Sequence, residues 1–190
     1  MSKCICVFSA SSEAVDIAYF DAATMLGRRI AEAGWSMIFG GGTIGLMGAT
    51  ARAVHAEGGR VVGVIPNGLN RPGVAYEAAD ELIVTKTLRE RKAIMDERAD
   101  AFIALPGGFG TIEEIVEVLA LKQLRYHDRP VVFLNTEGFF DRLLDFFEHQ
   151  VDRQFVKAEH RRLYHVANTT EDAMDHIRKY AGAEVPEKFV

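Results

Sequence analysis

Short hydrophobic runs alternate with helix-length amphipathic stretches along the whole chain, and this alternation limits the possible folds more than any other feature of the sequence. The hydrophobic runs are continuous and do not alternate with polar residues, which is typical of strands buried on both faces of a parallel sheet. Amphipathic helices then have to cover both faces of that sheet. The pattern predicts an α/β fold with three layers.

The predicted elements follow one another in alternation. Strands are predicted at 5–8, 36–39, 61–65, 81–84, 101–105, 131–134 and 164–166. Helices are predicted at 13–33, 45–57, 88–98, 112–124, 138–150 and 170–180. This order predicts a Rossmann-like, doubly wound and mostly parallel sheet, in which ligands bind at the carboxyl ends of the strands. We expect one domain over residues 1–190, with any disorder confined to the tail at 181–190.

The charge balance excludes some partners. With 22 basic and 27 acidic residues, the net charge of −5 gives no long-range attraction for nucleic acid or for an anionic membrane. No apolar run reaches the length of about 18 residues that a membrane span needs, and the N-terminus shows no signal-peptide pattern. We therefore expect a cytoplasmic protein. Cys4, just before the first predicted strand, and Cys6, within it, are two residues apart and would face the same side, which favours two buried structural thiols over redox or metal chemistry.

The first glycine cluster, "FGGGTIGLMG", spans residues 39–48 and contains the spacing G-x-G-x-x-G at Gly40, Gly42 and Gly45. It follows the second predicted strand, and no acidic residue ends the next strand, so a dinucleotide site is disfavoured. A P-loop is excluded because no Gly-Lys-Ser/Thr is present. The cluster favours a wall of a nucleotide pocket at which the backbone comes close to the ligand, with Gly41 and Gly42 against it. The alternative is that the glycines only allow a helix to pack tightly on the sheet.

The second cluster, "LPGGFGTIEE", spans residues 105–114 and combines features that suit opposite ligands. Three glycines expose backbone N–H groups, which favours an anion such as phosphate. Two carboxylates, Glu113 and Glu114, follow at once. The simplest interpretation is a T-x-x-E capping box, in which Thr111 caps a helix beginning at Ile112 and Glu114 folds back onto the capping residue. That interpretation requires no chemistry.

A phosphate beside these carboxylates would require a cation. Two unit charges about 4 Å apart repel by about 4 kcal/mol at an effective dielectric constant of 20, whereas a helix N-terminus returns only about 0.3–2 kcal/mol. The predicted helix 88–98 carries Arg89, Arg91, Lys92 and Arg98 and is the obvious source. Composition alone would equally allow a solvated, charged helix.

The stretch "RKAIMDERADAFIALPGGFGTIEE", residues 91–114, resembles the signature of the Lonely Guy (LOG) family, R-K-x-x-M followed by P-G-G-x-G-T-x-x-E. The similarity extends over nearly the whole chain. It implies an enzyme that cleaves a nucleoside 5′-monophosphate to a free base and ribose 5-phosphate, with no cofactor and no metal, in a homodimer. The segment 70–87 and Ala120 differ from the plant members, which leaves the identity of the base open.

The resemblance also implies roles for individual residues. Arg91 and Glu114 would be the catalytic pair, and Lys92 would contact the substrate. The residues implied in phosphate binding are Gly107, Gly108, Phe109, Gly110 and Thr111, with Ile112 and Glu113 completing that wall. The opposite preferences of the cluster would then serve two ends of one substrate: amides bind the phosphate, and Glu114 stabilises the positive charge that develops on the ribose. Arg91 would position either the phosphate or Glu114.

Two alternative functions can be compared with this one, and one helix suggests a second subunit. A non-catalytic nucleotide or molybdenum-cofactor carrier is the main alternative, since such carriers resemble this fold, although a carrier does not need a carboxylate beside the sugar. Lysine decarboxylation, a label attached to relatives of the family, would need pyridoxal phosphate on a lysine, and no segment resembles such a site. The predicted helix 112–124 is apolar around most of its circumference, which favours a second subunit as its outer cover.

Overall fold

The computed structural model describes residues 2–183, and these residues form one parallel sheet with the strand order β4-β3-β2-β1-β5-β6-β7. The strands are β1 (Cys4–Phe8), β2 (Ser36–Phe39), β3 (Val61–Pro66), β4 (Glu81–Thr85), β5 (Ala101–Ala104), β6 (Val131–Leu134) and β7 (His165–Ala167). The predicted α/β fold with a doubly wound sheet is confirmed.

Helices cover both faces of the sheet. They are α1 (Ile17–Glu32), α2 (Gly45–Ala56), α3 (Leu88–Arg98), α4 (Phe109–Gln123), α5 (Asp141–Asp152) and α6 (Thr170–Lys179). One hydrophobic core lies between the sheet and α1, α2 and α6, and the other lies between the sheet and α3, α4 and α5. Short 3-10 helices occur at Asn67–Leu69, Thr136–Gly138 and Ala158–Leu163.

The order of the strands reverses beside β1. The chain moves outward from β1 through β2, β3 and β4, and then returns to place β5 on the other side of β1. The helices that follow these two strands therefore lie on opposite faces, which opens a crevice at the carboxyl ends of β1 and β5. Both glycine clusters follow strands that end at this edge of the sheet.

The start of α1 differs from the sequence prediction because the capping residue of this helix was not recognised. Helix α1 begins at Ile17 and not at residue 13, because the Asp16 side chain accepts a hydrogen bond from the backbone N–H of Ala18 at 2.9 Å and caps the helix. Cys4 and Cys6 share one face of the sheet, as expected, and this face packs against α3 and α4; Cys6 is buried as predicted, whereas Cys4 is only partly buried.

The end of the chain is described only in part. The backbone N–H of Ala183 donates a hydrogen bond to the Asp128 carboxylate at 3.1 Å. The rest of the tail for which disorder was predicted, residues 184–190, lies outside the described residues. Over residues 2–183, the structure contains no helix that is both long and apolar enough to cross a membrane.

Candidate active site

A cavity of about 500 Å³ opens at the carboxyl edge of the sheet, at the reversal point between β1 and β5. Its walls come from the segments that follow β1, β2, β3, β4 and β5. The lining residues are Ser9, Ala10, Ser11, Gly40, Gly42, Ile44, Met47, Ile65, Leu69, Arg71, Val74, Arg91, Gly108, Phe109, Gly110, Thr111 and Glu114. Both glycine clusters and the predicted catalytic pair therefore meet at one cavity.

Helix α4 begins within the second glycine cluster, three residues earlier than predicted. Its capping residue is Gly108, and in the described structure no side chain caps it. The first backbone hydrogen bond of the helix runs from the N–H of Ile112 to the carbonyl of Gly108 at 3.1 Å. The predicted capping box of Thr111 and Glu114 is therefore wrong, because Thr111 is already the third residue of the helix and Glu114 lies in its second turn.

The early start of α4 leaves backbone donors at the cavity. The N–H groups of the first helical residues, Phe109 to Thr111, have no carbonyl partner within a helix and can bind an anion. A Cβ atom added at Gly108 or at Gly110 would meet no atom of the described chain within 4 Å, so these two glycines leave open space in front of the donors. At Gly107, by contrast, a Cβ atom would collide with the side chain of Thr111.

Arg91 and Glu114 form a buried ion pair beside this helix terminus. Nη1 of Arg91 lies 3.1 Å from Oε1 of Glu114, and the two side chains are only 12% and 9% exposed. Burial raises the pKa of Glu114, and the positive charge of Arg91 opposes that increase without cancelling it. The pair brings a carboxylate with a raised pKa and a fixed cation to the wall of the cavity.

The backbone of β2 and β3 holds the guanidinium of Arg91 in place. Its Nε donates a hydrogen bond to the carbonyl of Val64 at 3.1 Å. Its planar group also lies directly against Gly40, where an added Cβ atom would collide with it. The first glycine cluster thus allows a close approach of the Arg91 side chain to the backbone, a contact that the sequence alone did not reveal.

Several predicted residues lie near the cavity but do not line it, as the described residues outline it. The ammonium of Lys92 forms ion pairs with Glu113 and, at 2.7 Å, with Glu117. Lys92 lines a neighbouring cavity of about 250 Å³, whose wall includes Glu114. Gly41 packs against β3, Ile112 packs into the core beneath α4, and Gly107 makes room for Thr111.

The loop 67–80 forms a wall of the cavity that the sequence reasoning missed. Leu69, Arg71 and Val74 line the cavity from this loop. Backbone hydrogen bonds of 2.8 Å, from Thr43 to Val74 and from Tyr76 to Gly41, join the loop to the first glycine cluster. The available signal was its position after β3, at the carboxyl edge of the sheet where ligands bind in this class of fold.

Side chains also fasten the base of that loop. His55 on α2 contacts the Tyr76 hydroxyl at 2.8 Å through Nδ1 and the Asp80 carboxylate at 3.0 Å through Nε2. The carboxylate of Asp80 in turn accepts a hydrogen bond from the backbone N–H of Val61 at 2.7 Å. The C-terminal part of the loop is therefore held against the sheet and α2. Within residues 2–183, no group of three or more His, Cys, Asp or Glu side chains is arranged to hold a metal ion.

The chain is similar to one protein family and to named proteins of plants. Residues 47–177 match the model of a protein family described as "Possible lysine decarboxylase". The chain is 43% identical to the "Probable cytokinin riboside 5′-monophosphate phosphoribohydrolase LOGL5" of Oryza sativa subsp. japonica, over 93% of this chain and 72% of the relative. It is 42% identical to the cytokinin riboside 5′-monophosphate phosphoribohydrolase LOG2 of Arabidopsis thaliana, over 93% of this chain and 83% of the relative.

Solved structures share the fold. The molybdenum cofactor carrier protein of Chlamydomonas reinhardtii superposes with a TM-score of 0.72 at 26% identity, covering 94% of this chain and 98% of that chain. The molybdenum cofactor binding protein of Rippkaea orientalis gives a TM-score of 0.72 at 22% identity, covering 94% and 96%.

Proposed function

The chain belongs to the LOG family, and from that membership and the geometry of its cavity we propose that it hydrolyses the N-glycosidic bond of a cytokinin riboside 5′-monophosphate. The products are the free base and ribose 5-phosphate. The observation that carries this proposal is the buried pair of Arg91 and Glu114, which lies one turn beyond a helix terminus with free backbone donors.

The two ends of the substrate would bind to consecutive turns of α4. The N–H groups of Phe109, Gly110 and Thr111 would bind the 5′-phosphate, since negative charge is favoured at a helix N-terminus. Glu114 lies about 6 Å further along the helix axis from Gly110, at a rise of about 1.5 Å per residue. The ribose, which links the phosphate to the base, would then lie beside the carboxylate.

Glu114 would act on the reacting sugar carbon. As the bond between C1′ and the base nitrogen breaks, positive charge develops on the ribose, and a nearby carboxylate stabilises it. The same carboxylate can orient a water molecule and accept its proton as the water oxygen bonds to C1′. The departing base takes up a proton, so the sum of the reaction is the addition of water across the glycosidic bond.

Arg91 would serve Glu114 and not the phosphate. Its guanidinium is committed to the Glu114 carboxylate and to the carbonyl of Val64, and Gly40 restricts its position. These contacts support a positioning role, in which Arg91 fixes the orientation of the Glu114 carboxylate toward the ribose and favours its ionised form. The sequence left this choice open.

We also propose a homodimer in which α4 contributes to the interface. Val116 on this helix and Leu124, which caps its C-terminal end, are 38% and 40% exposed. Exposed apolar side chains on a helix that also packs into the core support a second covering layer. The cytoplasmic location expected from the sequence stays a prediction.

The alternative functions have less support. The family description "Possible lysine decarboxylase" implies a lysine that reacts as a neutral amine. Lys92, the lysine beside Glu114, is unsuited to this role. Burial lowers its pKa, but the hydrogen bonds to Glu113 and Glu117 together outweigh that effect, so the net pKa lies above that of a free lysine. The carriers of molybdenum cofactor share the fold, whereas the curated relatives at about 40% identity are named as hydrolases.

The direct test is chromatography of the products after incubation with AMP and with N6-isopentenyl-AMP. We expect a free base and ribose 5-phosphate from at least one substrate, and none from the Glu114→Gln variant. Intact nucleotide with the wild-type protein, together with a molybdenum cofactor that copurifies with it, would favour the carrier.

A further inference from the structure

We propose that Arg71, on the loop 67–80, is the cation that binds the 5′-phosphate of the substrate. This inference rests on the proposed function and adds a residue that determines the preference for a nucleotide over a nucleoside. It follows from a comparison of the charges that line the cavity and the partners that each of them already has.

The cavity needs a positive charge beyond the ion pair. Among the described residues that line it, the charged side chains are Arg71, Arg91 and Glu114. Arg91 and Glu114 neutralise each other. A phosphate monoester carries a charge of about −1.5 to −2 at pH 7 and would lie one helical turn from a carboxylate. The helix terminus supplies only about half of a positive charge.

Helix α3, the source of cations suggested by the sequence, has already used most of them. Arg91 pairs with Glu114, Lys92 pairs with Glu113 and Glu117, and Arg98 pairs with Glu81 at 2.8 Å. The remaining basic residue, Arg89, lines the neighbouring cavity and not this one. The helix therefore leaves the phosphate end of the cavity without a cation of its own.

Arg71 is available, and its backbone is fixed. Its side chain is exposed, and the guanidinium forms no hydrogen bond or ion pair with any other described residue. Its carbonyl accepts hydrogen bonds from the N–H groups of Val74 and Ala75, both at 3.1 Å, which forms a tight turn. An antiparallel bridge between Gly42 and Ala75 fastens that turn to the first glycine cluster. The turn thus holds a flexible cation on the cavity wall.

The chemistry of arginine suits this role. A guanidinium donates two parallel hydrogen bonds to phosphate oxygens, and such charge-assisted bonds are stronger than neutral ones. The same planar group could instead stack on the base, because Leu69 and Val74 form an apolar wall on either side of it in the loop. The two modes differ in a measurable way, since only the first distinguishes a nucleotide from its nucleoside.

Calorimetric titration of the Glu114→Gln protein, which should bind without turnover, tests the proposal with AMP and with adenosine. Adding Arg71→Ala should weaken AMP binding by about 10- to 100-fold, as expected for a lost charge-assisted contact, and should leave adenosine binding unchanged. Arg71→Lys should recover part of the loss. The matched control is Arg89→Ala, which removes the other exposed arginine near the site and should not change AMP binding.

The outcomes are separable from the proposed function. Equal losses for AMP and adenosine would mean that Arg71 stacks on the base, and no loss for either ligand would mean that it is not a binding residue; both results overturn the proposal. The dependence of AMP affinity on salt concentration should also become weaker in Arg71→Ala. If the wild-type protein releases no ribose 5-phosphate from any nucleotide, the proposed function fails, whatever the titrations of Arg71 variants show.

Discussion

Nη1 of Arg91 lies 3.1 Å from Oε1 of Glu114, although the two residues belong to different helices, α3 and α4, which precede and follow strand β5 in the chain. Burial alone would favour the protonated carboxyl, and the adjacent guanidinium favours the carboxylate. The contact therefore combines a fixed geometry with a pKa above the ordinary value for glutamate.

AMP should be hydrolysed far faster than adenosine. The phosphate is remote from the bond that breaks, so its binding energy can orient the ribose against Glu114. Loss of two charge-assisted hydrogen bonds, each worth about 1.5–3 kcal/mol, corresponds to a decrease of more than about 100-fold in kcat/KM. Initial rates of base release measure this ratio, and equal rates on the two substrates would refute a role for the phosphate.

Glu114→Gln should remove turnover without removing binding. Glutamine keeps an oxygen that can accept a hydrogen bond from Arg91, but it can neither accept a proton nor stabilise positive charge. We expect kcat to decrease by about 10²- to 10⁴-fold, as for the loss of a general base. Glu117→Gln, one turn later on the same helix, is the matched control and should retain most of the activity. Comparable activity in both variants would contradict the assignment.

Gly40→Ala should reduce activity by displacing Arg91. The added methyl group would overlap the guanidinium, and a shift of about 1 Å at a catalytic geometry costs about 100-fold in rate. A Cβ atom at Gly68 meets no atom within 4 Å in the described chain, so Gly68→Ala is the control and should behave like wild type. Kinetics together with circular dichroism would separate misplacement of Arg91 from unfolding, and full activity of Gly40→Ala would show that the position of Arg91 is unimportant.

The acid limb of the pH profile should report Glu114. Since burial raises its pKa above the ordinary 4.5, and since the proposed mechanism uses the carboxylate, kcat/KM should fall as the pH decreases through this raised value. The activity should therefore be lost at a higher pH than an exposed glutamate would allow. The measurement is kcat/KM for AMP across the acid range. The variant Arg91→Met should move this limb to still higher pH, because the cation that favours ionisation is removed.

Leu124→Glu should dissociate the proposed dimer. A charge placed on the outer surface of α4 would be buried without a partner at an interface that covers this helix. Sedimentation velocity should then show a dimer for the wild-type protein and a monomer for the variant. Ile17→Glu changes a side chain of α1 that is 68% exposed and serves as the control. A wild-type protein that sediments as a monomer would end the proposal.

The positions of the strands and their burial on both faces could be predicted from the sequence, because both depend on local composition. Strands at 36–39 and 131–134 were predicted at their observed bounds, since β-branched and aliphatic residues form short runs between polar segments. The start of α4 was not accessible. The sequence favoured Thr111 as a cap, but its side chain packs over Gly107, which lacks a Cβ atom, and the helix extends back to Phe109.

Contacts between distant segments were the other limit. The family signature placed Arg91 and Glu114 in one site, whereas their direct pairing depends on how α3 and α4 pack on the sheet. The position of Arg71 on the cavity wall was missed for a similar reason. Its loop carries no glycine cluster, and it is joined to the cavity wall by a bridge between Gly42 and Ala75, two residues that are far apart in the sequence.

Residues 109–114 belong to a single uninterrupted helix, and this has a consequence for how such a chain can diverge. Point substitutions around the cavity can alter which base fits, because the walls come from separate loops. An insertion or deletion of one residue between Gly110 and Glu114 would instead rotate the carboxylate by about 100° about the helix axis, away from Arg91 and the cavity. Length variation in evolution should therefore accumulate in the loops that face the base, while the number of residues in this helical segment stays constant.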